Sequence, residues 1–193
     1  MNDQAHRSCP AQLESILAET EALGFDMASD RLTGSLLRTL VATKPAGRFL
    51  ELGTGTGFAT AWILDGMDER SHLTSIEQDQ TVLGVALKHL GENTKVRFHN
   101  EDGGVWLRRA CDAQFDLIFA DTWPGKYTQL EDALRVLKCG GLYVIDDMLP
   151  QPTWPAGHAP VVDELIERLE SRSDLVVTKM NWSTGIIVAA KVI

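Results

Sequence analysis

Seven short apolar runs, at 48–52, 72–77, 95–99, 115–120, 141–146, 175–180 and 185–190, alternate with helical patterns at 58–66, 79–90, 102–110, 127–138 and 161–171. A strand, a helix and a further strand in succession form a crossover, which makes neighbouring strands parallel and covers both faces of the sheet with helices. The last two runs break this rhythm. Only the turn-like Asn181-Trp-Ser-Thr-Gly185 separates them, too little for a crossover, so they pair as an antiparallel hairpin at one edge. The pattern predicts an α/β fold with a seven-stranded, mostly parallel sheet, a C-terminal antiparallel hairpin and helices on both faces. Two helices precede it, one over 11–23 that stops at Gly24 and one over about 33–43 that ends at the Lys44-Pro45 step. A chain of 193 residues fills one such domain and would be cramped as two, so residues 1–193 read as a single domain whose residues 1–44 lay helices over the ligand site.

Charge narrows the ligand. Lys and Arg number 18 against 27 Asp and Glu, a formal net charge of -9, whereas a nucleic-acid binder relies on basic surface to displace counterions from phosphate. No nucleic-acid partner is expected, and the substrate is expected to be a small molecule. Cys9, Cys111 and Cys139 are widely spaced and odd in number, which fits neither a disulfide framework nor a zinc site and suits a reducing compartment. No apolar run approaches the roughly 20 residues of a membrane span, and the N-terminus is polar, so a cytoplasmic location with no membrane partner is expected. The oligomeric state stays open, a homodimer among the options.

The turn after the first strand carries the chemistry. Glu51-Leu-Gly53-Thr-Gly55-Thr-Gly57-Phe58 runs straight into a helix, and its glycines let a ligand approach backbone N–H groups at the helix start. A dinucleotide fingerprint would need its third glycine at 58, where this chain has Phe. The acid Glu51 just before the turn repels a pyrophosphate but suits an ammonium. Glu77 closes the second run and can accept two ribose hydroxyls. Asp102, in Asn100-Glu101-Asp102-Gly103, can accept from an adenine amino group; Glu101 can take that part instead, and a helix N-cap is the competing role for Asp102.

Further acids end the fourth and fifth runs: Asp121 in Phe115-Asp-Leu-Ile-Phe-Ala-Asp121, and Asp146 with Asp147 in Gly140-Gly-Leu-Tyr-Val-Ile-Asp-Asp147. Three carboxylates brought together need a cation between them, and an all-oxygen set favours Mg²⁺, Ca²⁺ or Mn²⁺ over zinc. A solvated acidic rim is the alternative. Leu149-Pro-Gln-Pro-Thr-Trp-Pro-Ala-Gly-His-Ala-Pro160 has four prolines in twelve residues and reads as an ordered loop on the ligand side. Trp123, Trp154 and Trp182 sit in loops at the same end and can wall an aromatic substrate pocket, or else pack the loop on the body.

These motifs resemble class I S-adenosylmethionine-dependent methyltransferases with a Rossmann-like fold over residues 30 to 193. The resemblance implies S-adenosyl-L-methionine as cofactor, its methionine end held by Glu51, Gly53, Thr54, Gly55 and Gly57, its ribose by Glu77 with Gln78, and its adenine by Asp102 with Gly103. The segment Ser29-Asp-Arg-Leu-Thr33-Gly34 lies where related enzymes cover the cofactor, which adds Thr33. Within that class the chain resembles the metal-dependent O-methyltransferases of the catechol and caffeoyl-coenzyme A type. Asp121, Asp146 and Asp147 match their metal positions, with Asp121 also close to the cofactor, and Trp123 and Tyr127 match an Asp-x-Trp-x-x-x-Tyr segment. The family's basic Lys falls at Pro124 here, while Lys126 lies two residues later.

A hydroxyl acceptor must lose its proton to a base or to a metal that acidifies it. Lys126 and His158 are the candidate bases, with a solvated helix start and an ordinary loop residue as their plainer roles; Lys126 can also pair with an anionic substrate group. The expected function is therefore methyl transfer to a small-molecule hydroxyl with Mg²⁺ or another hard ion assisting. A metal-independent N- or carboxyl-methyltransferase, a cofactor-binding module without transfer, and a nicotinamide oxidoreductase are the alternatives.

Overall fold

The computed structural model describes residues 8–193; the first seven residues of the polar N-terminal stretch lie outside them. Helices α1 (Leu13–Leu23) and α2 (Arg31–Ala42) lead into β1 (Arg48–Leu52), α3 (Phe58–Gly66), β2 (His72–Glu77), α4 (Gln80–Leu90), β3 (Val96–Asn100), α5 (Gly103–Arg109) and β4 (Phe115–Ala120). Then follow α6 (Trp123–Lys126), α7 (Leu130–Val136), β5 (Leu137–Ile145), α8 (His158–Glu170), β6 (Leu175–Met180) and β7 (Ile186–Lys191). The sheet runs β3-β2-β1-β4-β5-β7-β6. β1 pairs in parallel with both β2 and β4, so strand order reverses between them and leaves a crevice at their carboxyl ends. β7 is antiparallel to both β5 and β6, which forms the expected edge hairpin.

Strand periodicity sorts the core into two layers. Leu50, Leu52, Ile118, Ala120, Tyr143 and Ile145 face α5, α7 and α8. Phe49, Leu117, Phe119 and Val144 face α1, α2 and α3, around the fully buried Trp62. Each such side chain contributes about 1.5–3 kcal/mol by leaving water. Glu51 shares the Phe49 face, an acid inside an apolar layer. Among the described residues no helix is long and apolar enough to cross a membrane.

Three element boundaries depart from the sequence expectation. The single helix expected over 127–138 is broken: Gln129 takes a left-handed conformation (φ 50°) ahead of α7, which ends at Val136. β5 begins at Leu137 rather than 141, and its register against β4 shifts between Phe115 and Leu117, which accommodates Gly140 at φ 76°. α8 begins at His158, so Pro160 lies in its first turn, where a missing N–H leaves no intrahelical bond unmade.

Candidate active site

The turn between β1 and α3 is anchored to β2: Gly53 and Thr54 N–H both donate to Ile76 O, at 3.0 and 3.1 Å. Gly53 has φ 95°, and a Cβ there would lie 2.6 Å from Asp121 O, so only glycine lets the β1 and β4 ends approach this closely. Beneath the turn, Thr60 Oγ1 (2.6 Å) and Ser75 Oγ (2.5 Å) both donate to Glu51 Oε2, and Ser75 is bonded to Thr54. Glu51 Oε1 is buried without a partner. Burial pushes the Glu51 carboxyl up to about 7; the two hydroxyls oppose this, and the Glu77 charge adds to it. Glu51 therefore lies under the turn as a charge behind its backbone rather than on the cavity wall.

At the end of β2, Glu77 Oε2 accepts from Gly55 N–H (3.0 Å) and Oε1 from Asp79 N–H (2.9 Å). Asp79 in turn caps α4 by accepting from Thr81 and Val82 N–H. Gly57 lies against α4, where a Cβ would come within 2.9 Å of Ala86 Cβ. These elements border a cavity of about 400 Å³, within the usual range of small-molecule sites. Gly53, Thr54, Gly55, Glu77, Gln78 and Asp121 line one side of it. Trp123, Lys126, Tyr127, Asp147, Trp154 and His158 line the other. Phe25, Met27, Ala28 and Ser29 close it from the segment between α1 and α2. This segment lies over the site as its sequence position implies, but Thr33 is not the residue that reaches it. The contact comes instead from Ser29, whose hydroxyl donates to Asp121 Oδ2 at 2.9 Å.

Several expected site residues stand elsewhere. Asp102 caps α5, accepting from Val105 N–H at 2.8 Å, and does not line the cavity. Glu101 pairs with Arg109 at 2.5 Å. Gly103 begins α5 beneath Pro124, also away from the cavity. Thr33 is buried in α2, its amide capped by Asp30 and its hydroxyl 3.1 Å from Ser183 Oγ. Trp182 packs on the core layer of α1, α2 and α3, as its plainer reading had it.

The aromatic wall centres on His158. Its ring lies 5.5 Å from Trp123, 4.9 Å from Tyr127 and 4.8 Å from Trp154, and its Nε2 is 3.1 Å from Tyr127 Oη. Burial holds the imidazole below its ordinary value, and the Lys126 charge pushes the same way, so His158 is neutral at pH 7. Burial, with the charges of Asp147 and Asp121, raises the Tyr127 phenol to about 12, which keeps its proton on.

The three aspartates are near enough for their charges to act on one another, but they do not present three carboxylates to one point. Asp146 is 1% exposed and off the cavity wall; its Oδ1 accepts from Thr184 Oγ1 and from Asp147 N–H. Asp147 faces the cavity from a left-handed backbone position (φ 58°), with Asp121 on the wall beside it. Among the described residues no three His, Cys, Asp or Glu side chains are grouped to hold a metal ion. The donor set expected for Mg²⁺ therefore does not fit. The charge that acts on these acids is Lys126. Burial raises both Asp121 and Asp147, and Lys126 is the first influence to pull each back down.

Lys126 owes its place to a tight turn. Gly125 has φ 92°, donates its N–H to Thr128 O at 2.7 Å and accepts from Tyr143 Oη. A Cβ at Gly125 would meet Leu52 Cδ1 at 2.6 Å. Gly125→Ala is expected to destabilise the protein by roughly 1–3 kcal/mol, and a domain of this size loses about 2–4 °C of melting midpoint per kcal/mol. Calorimetry checks this, and an unchanged midpoint would show that the turn is not strained by a side chain.

The fold and this cavity define a methyltransferase-like α/β domain, and the comparisons with known proteins agree. The O-methyltransferase family profile matches residues 4–181. A protein of Mycobacterium sp. (strain KMS) that bears an O-methyltransferase name is 29% identical over 149 residues, 73% of this chain and 68% of that one. The O-methyltransferase TomG from Streptomyces achromogenes, solved in complex with SAM, has a TM-score of 0.82 at 22% identity, covering 96% of this chain and 91% of its own. The O-methyltransferase from Bacillus cereus, solved with SAH, has a TM-score of 0.83 at 18% identity, covering 98% and 94%. The chain belongs to the O-methyltransferase family of class I S-adenosylmethionine-dependent methyltransferases.

Proposed function

We propose that the protein methylates a hydroxyl oxygen of a small, aromatic acceptor. The observation that carries this reading is the single cavity in which the glycine turn and Glu77 face the Tyr127–His158 pair and two tryptophans. Bound S-adenosylmethionine supplies a sulfonium-linked methyl group, which passes to the acceptor oxygen as the carbon–sulfur bond breaks. Two features support a fit to this cofactor: the glycine turn that lines the cavity, and the unpartnered Glu51 Oε1 beneath it. Gly53, Thr54 and Gly55 hold the amino-acid end over the Glu51 charge, and Glu77 and Gln78 hold the ribose. Trp123 and Trp154 fix the acceptor plane, so that part of the rate comes from alignment. The acceptor's proton passes to Tyr127 Oη as the Tyr127 proton passes to His158 Nε2. Burial suits both groups to this, since it keeps the imidazole neutral and the phenol protonated.

The test measures S-adenosylhomocysteine formation with phenols, amines and carboxylic acids offered in turn. Methylated phenol is the expected product. Transfer to amines alone would make the protein an N-methyltransferase, and binding without any transfer would make it a cofactor-binding module. In the same assay Glu77→Ala is expected to weaken S-adenosylhomocysteine binding about tenfold or more, because a hydrogen bond to a charged group contributes about 1.5–3 kcal/mol. Unchanged affinity would remove Glu77 from the ribose site.

A further inference from the structure

The positive charge in the cavity belongs to the chain itself. Lys126 is 3% exposed, yet it lines the cavity with Asp121, Asp147 and Tyr127. Among the described residues its Nζ has no hydrogen-bond partner and no carboxylate within 4.0 Å, and it lies 5.6 Å from the centre of the Tyr127 ring. A buried ammonium with no fixed partner, at the edge of a cavity, is placed to meet a ligand. The turn at Pro124-Gly125 sets its backbone position: Gly125 is pinned between Thr128 and Tyr143 and closed in by Leu52. The third carboxylate that a cation would need, Asp146, is off the cavity wall, its Oδ1 accepting from Thr184 and the Asp147 amide.

We infer that Lys126 takes the place of a divalent cation: its ammonium balances Asp121 and Asp147 and faces the negative charge that develops on the acceptor oxygen, so the site neither binds nor needs a metal. The acceptor half of this statement rests on the proposed methyl transfer to oxygen; the exclusion of metal does not. Lysine here acts as a charge and not as the base, which is His158 acting through Tyr127.

The experiment titrates Mn²⁺ into wild type, Lys126→Gln and Lys126→Gln/Asp147→Asn, reading free Mn²⁺ by electron paramagnetic resonance. Wild type is expected to take up no stoichiometric Mn²⁺. Lys126→Gln is expected to gain affinity by about tenfold or more, a shift that corresponds to about 1.4 kcal/mol, and the second substitution is expected to abolish the gain. One equivalent of Mn²⁺ bound by wild type, or no gain in a folded Lys126→Gln, overturns the inference. The wild-type titration needs no variant, so it decides the matter even if Lys126→Gln fails to fold. Wild-type turnover is expected to persist in EDTA, and loss of turnover there that Mn²⁺ restores overturns the inference as well. Thermal unfolding with S-adenosylhomocysteine is run beside it. No midpoint rise there would remove the methyl-transfer reading, while the Mn²⁺ titration would still decide whether Lys126 excludes the ion.

Discussion

Replacing His158 with glutamine is expected to lower kcat by about 100-fold or more, with a much smaller change in KM, because a positioned base contributes typically 10²–10⁴-fold to proton transfer. The side chain is well placed to show this cleanly. His158 is packed among Trp123, Tyr127 and Trp154, so glutamine leaves the aromatic walls in place while removing the nitrogen 3.1 Å from Tyr127 Oη. Tyr127→Phe breaks the same relay one step earlier. If the two groups act as one path, the double variant is no slower than the worse single variant, whereas independent roles would multiply. The pH profile adds a sign. His158 must be neutral to accept a proton, and burial holds it below 6.5, so kcat is expected to stay on its plateau as pH falls through 6.5 and to decline only below that. A His158→Gln enzyme within threefold of wild type at every pH would move the proton elsewhere, Asp147 being the next carboxylate on the cavity wall.

How much of this was legible in the sequence depends on how local the cause was. The β1 turn, Glu77 and Asp121 lie at carboxyl ends of parallel strands, and strand order alone gathers such ends into one crevice. A regular alternation of apolar runs with helices therefore located them without any knowledge of packing. Asp102 was ambiguous for a local reason: an acid one residue before a helix can cap it or reach a ligand, and the Val105 amide, 2.8 Å away, is the nearer partner. Thr33 and Trp182 were lost to non-local partners, Ser183 and the α1, α2 and α3 layer, which no spacing rule reveals. Lys126 is the most instructive case. Its sequence position looked like a misplaced family lysine, and its burial arises from Gly125 at φ 92° tucked against Leu52 and Tyr143, residues more than fifteen positions away. The placement of the three aspartates was illegible for the same kind of reason. Adjacent Asp146 and Asp147 look alike in sequence, but the chain leaves β5 at Ile145 and turns left-handed at Asp147, which puts Asp146 against Thr184 and Asp147 on the wall.

Glu51 should make the stability of the unliganded protein depend on pH in a way that Glu51→Gln does not. Its carboxyl titrates at 4.5 in an ordinary setting and at about 7 here. Below 4.5 it is neutral in both folded and unfolded chains, and its contribution is fully present. Between 4.5 and 7 only the unfolded chain ionises, which draws the equilibrium toward unfolding; above 7 both forms are charged and the slope ends. A rise of this size, at 1.36 kcal/mol for each pH unit, removes about 3 kcal/mol of stability across the window. Glutamine keeps the acceptor for Thr60 and Ser75 but carries no titrating group. Between pH 5 and pH 8 the wild type is therefore expected to lose about 2–3 kcal/mol relative to Glu51→Gln in denaturant unfolding. Comparison with the variant cancels the other buried acids. The buried charge is worth keeping only if something positive arrives above it. Under the proposed function that is the cofactor's ammonium, and its arrival favours the ionised carboxylate through the Gly53-Thr54-Gly55 backbone. S-adenosylhomocysteine is accordingly expected to bind wild type more tightly as pH rises from 6 to 8, and to bind Glu51→Gln with no such trend. Parallel pH dependence of stability in the two proteins would show that Glu51 is already ionised in the folded state. A stability difference without the binding difference would leave Glu51 as a buried acid that the ligand does not sense.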